Sequence, residues 1–289
     1  MNPLSYPSRR TLARLAFNAF AVIAPACASA QGVDCSALAR RIPRLTSQAC
    51  ESAALQPSGA RSVKGFPIYQ RDVPARAAAE GGAAENKPAP RILVVGGVHG
   101  DELSSSSLVF RWIAMAAESP AEIAWRFVPA INPDGLLQPR PTRTNANGVD
   151  LNRNFPTPQW SADAQKWWVE RARKDPNRWP GPTAQSEPEV RFVVDTIERW
   201  KPDLVVSVHA PYSLLDYDGP SAPPRRLGRL FLDRLGVFPG SLGSYGGLHK
   251  RLPVVTIELP SAALTPTEAE MRSMWADLLR WAGQHLAER

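Results

Sequence analysis

Apolar residues along the chain form two kinds of pattern, short continuous runs and longer stretches that repeat every three or four positions. Residues 92–98, 204–208 and 254–259 are continuous apolar runs, and 125–131 reads as a fourth strand. Between the runs, 103–117, 187–200 and 226–235 predict helices, the second opened by a capping box over 186–189. A closing helix follows Thr265-Pro266 and sets Met271, Met274, Trp275, Leu278, Leu279 and Ala282 on one stripe. Strands apolar on both faces require cover on both sides. The pattern predicts an α/β fold, a mostly parallel, mixed and twisted sheet with helices on both faces.

The flanking segments are less regular. Residues 31–60 predict short helical pieces, 62–73 one arm of a hairpin, and 74–90, rich in Ala, Gly and Pro, an exposed loop. Residues 132–184 show little periodicity and many Pro, Asn and Arg residues, and so long a loop is usually functional.

The first thirty residues have a different character. Arg9, Arg10 and Arg14 precede an apolar stretch over 15–26, and Ala28-Ser29-Ala30 offers a cleavage site. This predicts an export signal, by the general or the twin-arginine route, and a periplasmic mature protein. Cys27 lies within the leader after Ala24-Pro25-Ala26, a poor match to a lipidation motif. Cleavage after Ala30 leaves Cys35 and Cys50, expected to be bridged in an oxidising compartment, with two buried thiols as the alternative. The chain thus divides into a signal at 1–30, an N-terminal segment at 31–61 and one domain at 62–289.

Composition narrows the function. With 289 residues, 44% hydrophobic and 21% charged, the chain can bury a large core, and a mean hydropathy of −0.25 excludes a polytopic membrane protein. No stable membrane insertion is expected. Proline is abundant at 29 residues against 19 glycines, which predicts stiff loops. Removing the three leader arginines from the formal charge of +7 leaves +4, scattered among acids, so no nucleic-acid partner is expected. Gly96, Gly97 and Gly100 lack the spacing of a phosphate loop, and no nucleophile elbow is present.

Candidate chemistry gathers at the ends of the predicted strands. His99 follows the first run, His209 the second, and Glu258 closes the third, where open α/β sheets present ligands. His99 and Glu102 have an H-x-x-E spacing, and with His209 they form a set of two imidazoles and a carboxylate suited to catalytic zinc. The same spacing recurs at His285 and Glu288 on the closing helix, where the apolar stripe accounts for it, so the spacing alone proves little. Arg143, Asn152 and Arg153 lie in the donor-rich stretch 143–156, and guanidiniums beside a metal site suit a substrate that brings a carboxylate and develops an oxyanion.

These residues, in this order, resemble the zinc carboxypeptidases of the M14 type. Within that family, residues 143–156, Ser186-Glu187-Pro188-Glu189 and the loop 240–246 are most similar to the murein peptide amidases, and the likeness covers about residues 62–283. The resemblance implies a single catalytic domain in which His99, Glu102 and His209 hold one zinc ion per chain and Glu258 serves as base and then acid. It implies that Arg143 stabilises the oxyanion, that Asn152 and Arg153 clamp the substrate's terminal carboxylate, and that Tyr245 contacts substrate or relays a proton. The implied substrate is a peptidoglycan stem peptide or muropeptide fragment, cut between γ-D-glutamate and meso-diaminopimelate. An export leader departs from the intracellular recycling of the enterobacterial enzymes. A general metallocarboxypeptidase or zinc deacylase, and a non-catalytic peptide-binding protein, are the alternatives. The last predicts loss of a ligand or of Glu258, and all are present.

Overall fold

Alternating side chains of the central strands supply two cores, one on each face of a seven-stranded sheet. The structure, a computed structural model, describes Met1 and residues 33–76, 88–119 and 121–286. The leader with Cys27, most of the 74–90 loop and Glu288 lie outside the described residues. Residues 32–289 form one unit.

Helices α1 (Cys35–Arg41) and α2 (Ser47–Ser52) are capped by Asp34 and Thr46, whose side chains accept from the N–H groups of Ala37 and Ala49. The cysteines at 35 and 50 form a disulfide between them. Strands β1 (Gln56–Arg61) and β2 (Pro67–Val73) make an antiparallel hairpin, so the segment predicted as helical pieces ends in a strand. Next come β3 (Arg91–Val95), α3 (Leu103–Glu118), β4 (Ala124–Val128) and a single turn, α4 (Pro133–Leu136). The long loop then contains a helix the periodicity did not reveal, α5 (Trp160–Glu170), of which only Trp160 and Ala164 are buried. Helix α6 (Pro188–Trp200) leads to β5 (Leu204–His209) and β6 (Leu214–Asp218).

Two expectations are corrected here. The segment 226–235 is not a helix. Gly228, at φ 58°, turns the chain between β7 (Arg226–Leu227) and β8 (Leu230–Phe231), a small hairpin. Nor does Ser186 close a capping box. Its hydroxyl is engaged by Asn154 and Glu187, and Glu187 occupies the N-cap without a side-chain cap bond. The closing helix instead has the box: Thr267 and Glu270 cap α7 (Glu268–His285), which follows β9 (Val254–Glu258).

The sheet order is β1-β2-β4-β3-β5-β9-β6. The four central strands β4, β3, β5 and β9 are parallel, and the outer pairings are antiparallel. Ile92, Val94, Val206, Val208, Val255 and Ile257 face α3 and α7, in the same apolar cluster as Ile42 and Cys50 of the N-terminal segment. Leu93, Val95, Val205 and Val254 face the opposite way, onto Val190, Val193 and Ile197 of α6. Each strand thus lies between two layers, with all four carboxyl ends on one edge.

Reduction of the Cys35–Cys50 bridge opens a link between residues 15 positions apart, which costs about 3 kcal/mol in the chain-entropy account. Thermal unfolding with and without reductant is expected to show a melting temperature several degrees lower in the reduced protein.

Candidate active site

The site begins where β3 ends. After Val95 the chain turns away, with the Gly96 N–H donating to the Val128 carbonyl, and delivers His99 to the sheet edge. Gly100 is required there, because a Cβ would stand 2.3 Å from the backbone carbon of Gly135. That close approach brings Glu102, at the start of α3, back toward His99. In β5 and β9, His209 and Glu258 are register partners at the strand ends.

Four atoms converge there. His99 Nδ1 lies 2.7 Å from Glu102 Oε1, His209 Nδ1 lies 3.1 Å from Glu102 Oε2, and the two Nδ1 atoms are 3.2 Å apart. All three residues are buried, and one ligand atom from each lies within 4.8 Å of the others. The outer nitrogens are occupied: His99 Nε2 is 3.0 Å from Asp150 Oδ1, and His209 Nε2 is 2.9 Å from Ser207 Oγ. An imidazole that donates outward through Nε2 turns its Nδ1 lone pair inward. Two such lone pairs and a carboxylate sharing one buried space fit a divalent cation. Burial pushes the Glu102 carboxyl up, but His99 and His209 outweigh it and hold the group well below the usual carboxylate range. Glu258 shifts the other way: burial, reinforced by Glu102, raises it despite His209, and its Oε2 accepts the Tyr212 N–H at 3.4 Å.

Arg143 reaches the same place from the long loop. Its Nη2 and Nε lie 3.0 and 3.2 Å from Asp150 Oδ2, and its Nη1 lies 3.4 Å from Glu102 Oε1. The loop is held by buried Asn145, whose Oδ1 accepts the N–H groups of Asn147 and Val149 and whose Nδ2 donates to Glu187 at 2.6 Å and Glu189 at 3.2 Å. These carboxylates are the functional content of the 186–189 motif. They also tie in the β1–β2 turn, where the Val63 N–H donates to Glu189.

Asn152 and Arg153 follow on a single 3₁₀ turn begun by Asp150. Asn152 Oδ1 accepts the Leu242 N–H at 2.9 Å. The Arg153 guanidinium sits 4.6 Å from the ring centres of both Trp167 and Phe238, and its Nη1 donates to the Asn152 carbonyl. Its buried Nε has no partner among the described residues, and burial lowers its pKa to about 10. Trp167 of α5, in a stretch that looked structureless, is thus what stacks this arginine.

All seven of these side chains line one cavity of about 280 Å³. The rest of its wall includes Arg178, Tyr212, Asp216, Asp218, Phe238 and Gly243. Tyr245, which the resemblance gives as contacting substrate or relaying a proton, stands outside the residues that line this cavity. Its ring is buried in a π-helical turn, Ser244–His249, beside Phe155, and its hydroxyl donates to Glu198 of α6. Tyr212, 55% exposed, is the tyrosine that lines the cavity. Its sequence signal was its position three residues after His209. His285 stacks on Trp281 and donates to that residue's carbonyl, away from any ligand set.

The profile of the family described as zinc carboxypeptidase (Peptidase_M14) matches residues 45–226. Murein peptide amidase A of Escherichia coli K12 is 31% identical over 76% of this chain and 88% of its own length. The Vibrio campbellii protein of the same name is 36% identical over 61% of this chain and 72% of its own. The crystal structure of the murein-tripeptide amidase MpaA from Escherichia coli O157 superposes with a TM-score of 0.52 at 28% identity, covering 78% of this chain and 97% of that one.

The network behind Arg143 has a titration signature. Burial pushes Glu189 up to about 7 from 4.5. The folded protein therefore keeps a proton that the unfolded chain releases between those values. The stability that this one carboxyl contributes is fully present below about pH 4.5 and declines by roughly 3 kcal/mol as pH rises through 7. Glu189→Gln is expected to flatten this dependence, read as a smaller fall in melting temperature between about pH 5 and pH 8 than in the parent.

Proposed function

The chain belongs to the zinc carboxypeptidase family, and on that premise we propose that it is an exported zinc-dependent amidase that cuts peptidoglycan-derived peptides between γ-D-glutamate and meso-diaminopimelate. The observation that carries this reading is the convergence of His99, Glu102 and His209 beside Glu258 in a cavity that also holds Arg143 and Arg153. The names of the relatives support the substrate class. The Cys35–Cys50 disulfide supports an oxidising compartment, and with the leader it favours the periplasm.

His99, Glu102 and His209 would hold one zinc ion, with Asp150 and Ser207 fixing the two imidazoles from behind. When bound, zinc acidifies water and polarises a carbonyl. Glu258 takes the proton of the attacking water and returns it to the leaving amine, roles suited to a carboxylate raised by burial at the cavity wall. Arg143, anchored on Asp150, donates to the oxygen of the scissile carbonyl as negative charge develops on it. Asn152 and Arg153 bind the terminal carboxylate of the residue to be released, and the Trp167 and Phe238 rings keep the guanidinium in place.

Incubated with L-Ala-γ-D-Glu-meso-diaminopimelate, the mature protein is expected to release diaminopimelate, to stop on chelation and to recover with zinc. Glu258→Gln should keep its zinc while kcat falls by about 10²–10⁴-fold, and near-parental turnover in that variant would remove the assigned base. Arg153→Ala is expected to raise KM much more than it lowers kcat for peptides with a free terminal carboxylate. An equal effect on amidated peptides would end the clamp role.

A further inference from the structure

The carboxyl groups of Asp134, Glu187 and Glu189, each 1% exposed or less, are packed behind Arg143 among neutral donors. Asp134 accepts the Ser62 hydroxyl at 2.7 Å and the Lys64 N–H at 3.1 Å. Glu187 accepts three short bonds, from the amides of Asn145 and Asn147 at 2.6 and 2.8 Å and from the Ser186 hydroxyl at 2.6 Å. Glu189 is held more weakly. It accepts the Val63 N–H and the Asn145 amide, both at 3.2 Å, with its own N–H as a further donor. Short bonds to strong donors stabilise a charged carboxylate, so the geometry singles out Glu189 as the member that keeps a proton. Burial, reinforced by the Asp134 charge, pushes it up to about 7.

No basic side chain compensates it. Lys64 reaches the cluster through its N–H while its side chain is exposed, and Arg191 of α6 is exposed and donates to the carbonyls of Gln185 and Ser186. Arg143 is turned to Asp150 and Glu102. The titratable groups facing Glu189 are therefore Asp134 from α4 and Glu187 from the start of α6. Asn145 links this cluster to the site. Its Nδ2 bridges Glu187 and Glu189, while its Oδ1 accepts the N–H groups of Asn147 and Val149 and its own N–H donates to the Val149 carbonyl. Arg143 enters this turn and Asp150, its anchor, leaves it.

We propose that Glu189 is a positioning residue for Arg143 and that, with Asp134 and Glu187, it forms a clasp held shut by its own proton. Loss of that proton leaves three anions in one dry space served by neutral donors. The long Asn145 contact then gives way, the 145–149 turn loosens, and Arg143 loses its fixed aim. The catalytic consequence rests on the function proposed above, in which Arg143 meets the developing oxyanion; the opening of the clasp does not.

Amide exchange at Asn147 and Val149 reads the clasp without reference to catalysis. With Glu189 at about 7 in the closed clasp and 4.5 when released, protection at these amides, corrected for intrinsic exchange, is expected to fall about tenfold between about pH 6 and pH 8 in the zinc-loaded mature protein. In Glu189→Gln it should stay level. Constant protection in the parent, measurable even if the variant fails to fold, overturns the clasp, as does an equal loss in both proteins. With L-Ala-γ-D-Glu-meso-diaminopimelate as substrate, the ratio of kcat at pH 8 to kcat at pH 6 should be up to about tenfold higher in Glu189→Gln than in the parent, with the corresponding KM ratios alike. Equal kcat ratios overturn the positioning role. No cleavage by either protein overturns the amidase reading instead, and the exchange result still decides the clasp.

Discussion

Two imidazole lone pairs and a carboxylate turned toward one another in a dry space repel unless a positive charge stands between them, and much of the surrounding structure holds them in that posture. Asp150 and Ser207 fix the rings from outside. Arg143 offsets part of the negative charge on Glu102 while its other nitrogens hold Asp150. One carboxylate, Asp150, therefore orients both a candidate ligand and a candidate catalytic cation, and the two cannot be displaced independently.

The sheet supplies the coarse coordinates and the loops the fine ones. Parallel register brings His209 and Glu258 side by side without any loop taking part. His99 depends instead on a glycine turn pressed against the backbone of the next loop. Arg143, Asn152 and Arg153 sit on irregular backbone, and their order comes from buried side-chain amides and carboxylates: Asn145 with Glu187 and Glu189, and Asn154 with the 180–186 segment. Such polar networks specify one geometry only when all their members are satisfied, which is why so long a stretch without regular structure can hold a site.

How far the sequence revealed this depended on the kind of signal. The continuous runs at 92–98, 204–208 and 254–259 gave the parallel centre, because strands buried on both faces admit few other patterns. They also located His99, His209 and Glu258 by position alone. Helix α5 escaped because it buries only Trp160 and Ala164 and otherwise faces outward, so no apolar stripe marks it. The segment 226–235 was expected to be helical, yet Gly228 at positive φ turns it back after two residues. Tyr245 drew its role from the resemblance alone, and no one-dimensional pattern showed that it lies on a π-helical turn with its ring buried beside Phe155. Asp216 and Asp218 alternate with apolar neighbours as any half-exposed strand does, and only the register with β9 showed that they share a face with the catalytic carboxylate.

Strand β6 is the last in the sheet and runs against its neighbour. It supplies the cavity floor and none of the candidate metal ligands, which come from β5 and from the segment following β3. The floor of the cavity and the candidate ligands are thus carried on separate pieces of backbone. Substitutions in that border strand can reshape the floor while the ligand set stays in place.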